Sequence, residues 1–122
     1  MPISDAESVV MEVLWRKAPL SADEVIAALA ADVDWQEPTI KSLLNRLLKK
    51  GAVAAERDGR RYLYRPVLSR NDYVLATSKG LLDRLFGGRV APLVAHFSNH
   101  RRLSKRDVAE LRRLIEEIDR GN

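Results

Sequence analysis

The 122-residue sequence has no cysteine and only two histidines, His96 and His100. Without cysteine there is no disulfide, no thiolate zinc site and no cysteine nucleophile, a pattern that fits a reducing compartment. No apolar run approaches the roughly 20 residues needed to span a membrane. The N-terminal MPISDAES lacks the basic and apolar regions of a secretion signal, so the expectation is a cytoplasmic protein with no membrane association. P-loops, dinucleotide fingerprints and clustered carboxylates for acid–base work are also missing, which argues against an enzyme. His96 and His100 have the i, i+4 spacing that can hold a metal on one helical face, but no third ligand lies nearby. We therefore expect no catalytic residue, no metal and no cofactor. Internal repeats and low-complexity segments are absent too.

What is present is an uneven charge. The net +4 divides into −5 for residues 1–35, +6 for residues 36–70 and +3 for residues 71–122. A cationic block beside an acidic segment is an electrostatic footprint for a polyanion. An anionic membrane surface would suit the same sign of charge, but it would also need exposed apolar residues that here look assigned to a core.

The basic block is centred on Glu37–Gly51, EPTIKSLLNRLLKKG. Pro38 suits a first helical turn, and Gly51 supplies a left-handed stop. At about 100° per residue, Leu43, Leu44, Leu47 and Leu48 all fall within about 80° of Ile40. Ser42, Asn45, Arg46 and Lys49 lie opposite, with Thr39 and Lys41 at the edges. No acid interrupts this face between Thr39 and Gly51. Such a front suits a major groove, where Arg reads guanine, Asn reads adenine, and Ser, Thr and Lys hold phosphates. Taken alone, this stretch fits an ordinary amphipathic helix with a solvated face better, and its neighbours reverse that balance.

Ahead of it, Ser4-Asp5-Ala6-Glu7 and Ser21-Ala22-Asp23-Glu24 each form a capping box. The first opens a helix to about Lys17, with Ala6, Val9, Val10, Val13 and Leu14 on one face. The second opens a short helix carrying Val25, Ile26 and Leu29. Asp32–Gln36 reads as a loop, so three helices stand in the order of a helix-turn-helix unit. Behind it, Ala52–Glu56 and Arg61–Arg65 are short β-forming runs around Arg57-Asp58-Gly59-Arg60, where Asp-Gly signals a hairpin turn. Three helices and a hairpin make a winged helix. Its wing tip bears Arg57, Arg60 and Arg61, which would serve a phosphate backbone directly.

Beyond Pro66 the pattern is helical again. Ser69–Asp72 starts a helix through Leu81 and Leu85 that Gly87-Gly88 closes, and a shorter helix carries Val90, Leu93, Val94 and Phe97. His96–Arg102 reads as a connection. The last helix bears Val108, Leu111, Ile115 and Ile118 at alternating spacings of three and four, with Leu114 beside them. That stripe calls for a partner, either the preceding helices or a second copy of the chain, and the second copy is favoured. The expected architecture is mainly α with a small β-hairpin: a winged helix-turn-helix over residues 1–68 and a helical dimerisation arm over residues 69–122. Leu81, Leu85, Val94, Phe97, Leu111, Leu114, Ile115 and Ile118 are the expected dimer contacts.

The sequence resembles the BlaI/MecI/CopY family of bacterial transcriptional repressors along nearly its whole length. The likeness rests on Ile3–Glu7, Val10-Met11, Leu14-Trp15, Leu20-Ser21-Ala22, Glu24-Val25, Thr39–Leu47, Lys49-Lys50-Gly51, Gly59–Tyr64 and Phe86-Gly87-Gly88. The resemblance implies a homodimer that binds a palindromic operator in double-stranded DNA. Its base- and phosphate-contacting positions fall on Thr39, Lys41, Ser42 and Arg46, with Arg60 and Arg61 on the wing. Copper-responsive members resemble one another in a C-terminal cysteine cluster that this chain lacks. Members that respond to β-lactams are cut at an Asn-Phe bond after a membrane sensor protease is activated. The matching dipeptide here is His96-Phe97, with the phenylalanine in place and the asparagine replaced. Two alternatives stand beside this: a winged-helix regulator answering another small molecule or a metal, and a winged helix used for protein contact.

Overall fold

A computed structural model describes residues 2–121. The elements run α1 (Asp5–Arg16), β1 (Leu20–Ser21), α2 (Ala22–Leu29), α3 (Glu37–Lys50), β2 (Val53–Asp58), β3 (Arg61–Pro66), α4 (Arg70–Leu85), α5 (Val90–Asn99) and α6 (Lys105–Gly121). They form two compact units, one reaching Leu75 and the other beginning at Ala76.

In the first unit both expected capping boxes are complete. Ser4 and Glu7 exchange hydrogen bonds at the start of α1, as do Ser21 and Glu24 at the start of α2. α3 has Pro38 in its first turn and no side-chain cap from Gln36. It stops at Gly51, whose φ of 79° is left-handed. The Gly51 N–H donates to Leu48 O and the Ala52 N–H to Leu47 O, which satisfies the last carbonyls of the helix.

One core joins the three helices. Val10, Met11, Val13 and Leu14 of α1 pack with Val25 and Leu29 of α2 and with Ile40, Leu43, Leu44 and Leu47 of α3. Leu20, Ala52 and Val53 close it on the sheet side. Leu48, expected on the same apolar face, is instead 39% exposed. The surface that α1 and α2 offer to α3 is narrower than the stripe of leucines, so the outermost one lies on its rim.

The hairpin belongs to a three-stranded antiparallel sheet of order β1-β3-β2, a pairing with no signal in the sequence pattern. Leu20 faces Tyr64 and Ser21 faces Leu63. Ser21 thus ends a strand and caps a helix. The β2–β3 ladder runs from Val53↔Pro66 to Asp58↔Arg61, so the turn is Gly59-Arg60 and Ala52 precedes the strand. Only Gly59 of the two has a positive φ, 65°, which fits a two-residue turn with glycine first. Trp15 Nε1–H donates to Leu68 O at 2.8 Å, and Arg70 Nε lies 3.1 Å from Glu12 Oε1, both fastening the chain after the wing to α1.

The second unit is different in kind. From Ala76 onward no described residue is fully buried. α5 extends through His96, Phe97, Ser98 and Asn99, a correction to the expected connection at that point. Pro92 lies in its first turn, where proline costs no hydrogen bond, and the Val90, Leu93, Val94, Phe97 spacing carries the helix on. Arg101, at φ 55°, then takes the left-handed position usually given to glycine, with Arg102 N–H donating to Phe97 O.

The core predicts a stability ranking. Leu44→Ala should cost about 2–5 kcal/mol by urea denaturation, whereas Leu48→Ala should cost well under half as much. Acid should also weaken this unit through Glu7. Burial pushes its carboxyl up, but the Lys50 hydrogen bond, the Ser4 backbone and hydroxyl, and the Lys50 charge outweigh that and hold it below the usual range. A depressed folded-state value gives stability that is present above about pH 4.5 and lost as pH falls through the folded value. Urea midpoints between pH 7 and pH 3 should therefore fall more steeply for the wild type than for Glu7→Gln.

Candidate nucleic-acid interface

The core fixes which way α3 faces. With Ile40, Leu43, Leu44 and Leu47 buried, the residues between them must point outward. Thr39, Lys41, Ser42, Asn45, Arg46 and Lys49 are all exposed. Lys50, at the C-terminal end, is turned inward to Glu7 and contributes little free charge.

The wing lies in the same unit. Arg57, Arg60 and Arg61 are all exposed, but they are not equally free. Arg57 Nε donates to Gly59 O across the turn at 3.0 Å. Arg61 stands between two carboxylates, 3.4 Å from Asp58 Oδ2 and 3.6 Å from Glu24 Oε1. Arg60, on the turn itself, has no ion pair among the described residues. Glu24 is held below the usual carboxylate range by the Ser21 backbone and hydroxyl, with the Arg61 and Lys17 charges adding to them against burial. It therefore stays charged opposite Arg61 at neutral pH.

An open cleft of about 340 Å³ runs between the start of α2, Lys41 of α3 and the wing residues Arg61, Tyr62 and Tyr64. Its edge toward α3 is cationic, and the start of α2 makes the far edge acidic with Asp23 and Glu24. Lys41 of α3 and Arg61 of the wing thus share a polar cleft that also holds the carboxylates at the start of α2. Lys41, Arg61 and Tyr62 sharing one cleft is a feature the sequence pattern did not show, because it depends on the β1–β3 pairing.

The expected dimer contacts lie elsewhere. Leu81, Leu85, Phe97, Leu114, Ile115 and Ile118 are exposed, and Val94 and Leu111 are half-buried. Val94, Phe97, Leu111 and Leu114 border an open, mainly apolar cleft of about 290 Å³ between α5 and α6. The two histidine rings lie tilted against each other, with centroids 4.6 Å apart and planes at 42°, and His100 Nδ1 is 2.9 Å from His96 O. That bond takes one ring nitrogen from any ligand role. Among the described residues there is no cluster of three or more metal-ligating side chains.

Comparison with known proteins agrees with this architecture. The chain is 36% identical over 115 residues to a penicillinase repressor of Bacillus licheniformis, covering 94% of this chain and 90% of that one. It is 32% identical over 113 residues to the methicillin resistance regulatory protein MecI of Staphylococcus aureus, covering 93% and 92%. Among solved structures, the Bacillus licheniformis BlaI monomeric form in complex with the blaP half-operator superposes with a TM-score of 0.54 at 40% identity. That match covers 60% of this chain and 89% of the other. The family model for the penicillinase repressor matches residues 3–117, and with it the winged unit and the helices after it fall into place: the chain belongs to the penicillinase repressor family.

Proposed function

We propose that this protein is a DNA-binding transcriptional repressor that sits as a homodimer on a palindromic operator. One observation carries the reading: the leucine stripe of α3 is buried while Thr39, Lys41, Ser42, Asn45, Arg46 and Lys49 all face solvent beside the arginine-bearing wing. In this reading α3 enters the major groove, Asn45 and Arg46 meet base edges, and the smaller polar and lysine side chains meet phosphates. Arg57, Arg60 and Arg61 lie along the flanking backbone, with Arg60 the readiest donor. The half-operator complex described for a relative supports this docking.

Two copies follow from reach. One recognition helix covers a few base pairs, and a two-fold pair reads two half-sites. Residues 69–122 form the dimerisation region in this reading, and their exposed apolar side chains are what a partner would cover. Ile118, 62% exposed in the single chain, is among the most exposed of them.

The relatives named for penicillinase and methicillin resistance support a role in β-lactam resistance. The family resemblance implies the route of release, cleavage of the arm after a membrane sensor protease is activated. The site would be His96-Phe97. It lies within α5, so a protease needs α5 to open before the bond can extend into an active site.

Arg46→Ala should cost about 1–3 kcal/mol on a duplex selected from random sequence and relax preference at one base pair. Arg60→Ala should instead weaken binding to every duplex and lower the salt slope by about one. Gel shifts at several salt concentrations separate the two, and unchanged affinity in both would reject the docking. Ile118→Asp should give monomers by analytical ultracentrifugation with the winged unit still folded; a persisting dimer would move the interface elsewhere.

A further inference from the structure

The one carboxylate buried in the first unit is Glu7, 1% exposed, and it does more than cap α1. Its Oε1 accepts from the Ser4 N–H at 2.9 Å and from Lys50 Nζ at 2.6 Å. Lys50 Nζ also donates to Pro2 O at 2.9 Å. Lys50 is the last residue of α3. The segment before α1 and the end of α3 are therefore tied at one ammonium group, across 43 residues of sequence. All the hydrogen bonds that Glu7 accepts on its side chain among the described residues go to Oε1.

Position on the helix gives the tie its meaning. By the ideal period, Lys50 lies roughly 40° round the helix from Arg46, at the border between the buried and exposed faces. Burial of Ile40, Leu43, Leu44 and Leu47 fixes which face of α3 meets the core, and a contact at the border of that face adds to the hold against a small roll about the helix axis. A charge-assisted hydrogen bond at the border resists that roll, because the Lys50 ammonium is held by two acceptors at once, Glu7 Oε1 and Pro2 O. A roll shifts Arg46 sideways against a base edge, whereas flexible lysines on phosphates tolerate the change.

We infer that Glu7 and Lys50 are positioning residues for DNA recognition: without touching DNA, they fix the roll of α3 and so set the aim of Asn45 and Arg46. This rests on the proposed docking of α3 in the major groove. Lys50 thereby differs from its neighbour Lys49, whose exposed ammonium faces the phosphates.

The test uses the full-length protein, a duplex selected by the wild type from random sequence and a scrambled duplex of equal length. Glu7→Gln/Lys50→Met removes the tie while leaving no unpaired buried charge. It should lower the ratio of selected to scrambled affinity about tenfold, the order expected when one base pair is no longer read, with the salt slope unchanged. Lys50→Arg keeps the charge and should keep the ratio within about threefold of wild type. Lys49→Met should weaken both duplexes alike and lower the slope by about one. Circular dichroism and thermal melting establish that each variant is folded at the assay temperature. If the double variant melts below it, Glu7→Gln, which drops only the charge, takes its place with the same expected direction. A folded variant that keeps the wild-type ratio overturns the positioning role. A wild type that distinguishes no duplex from scrambled sequence overturns the DNA docking instead.

Discussion

Burial of four side chains on α3 organises the first unit. Ile40, Leu43, Leu44 and Leu47 occupy one stripe and meet α1 and α2, and this packing decides which residues of α3 face solvent. A 14-residue helix with a cationic face and no core partner would be marginal in water, since helix formation alone rarely outweighs the entropy of ordering. The same packing that stabilises the helix therefore exposes its polar face. Function and stability are opposite sides of one element, and a change in the buried stripe moves both.

Much of this was readable in the sequence because it is local. Helix phases, both capping boxes, the stop at Gly51 and the hairpin signal at Asp58-Gly59 all depend on neighbours within a few residues. What escaped depends on distant partners. β1 is two residues long and has no periodicity to find; it exists because Leu20 and Ser21 meet Tyr64 and Leu63. The Leu48 side chain has the right helical angle, but the width of the surface opposite is a tertiary property. His96–Asn99 is polar enough to suggest a loop, yet Phe97 continues the apolar spacing and Arg101 takes the left-handed stop without being glycine. For the candidate site, the sequence indicated which side chains are cationic. It did not indicate that Arg57 and Arg61 already have partners, or that Glu7 meets Lys50.

The two units use opposite strategies. The first has a dry core, a buried carboxylate with a matched cation and long-range hydrogen bonds such as Trp15 to Leu68. The second is built from helices that keep no described side chain fully from water, and its last helix is laced by surface pairs such as Arg106–Glu110 and Arg113–Glu117. Exposed i, i+4 pairs contribute only a few tenths of a kcal/mol each, far less than a packed apolar face. These pairs therefore contribute little to the order of the second unit.

Ser21 couples two elements that a designer would wish to vary separately. Because it closes β1 and also caps α2, an inserted residue between Leu20 and Ala22 would shift the sheet register and uncap the helix together. The turn at Gly59-Arg60 carries no such double duty, and nothing lies within 4 Å of a Cβ built on Gly59. Length variation is tolerated at exposed turn tips of this kind. The wing can therefore change length at its tip while the packing of α3 against α1 and α2 stays as it is.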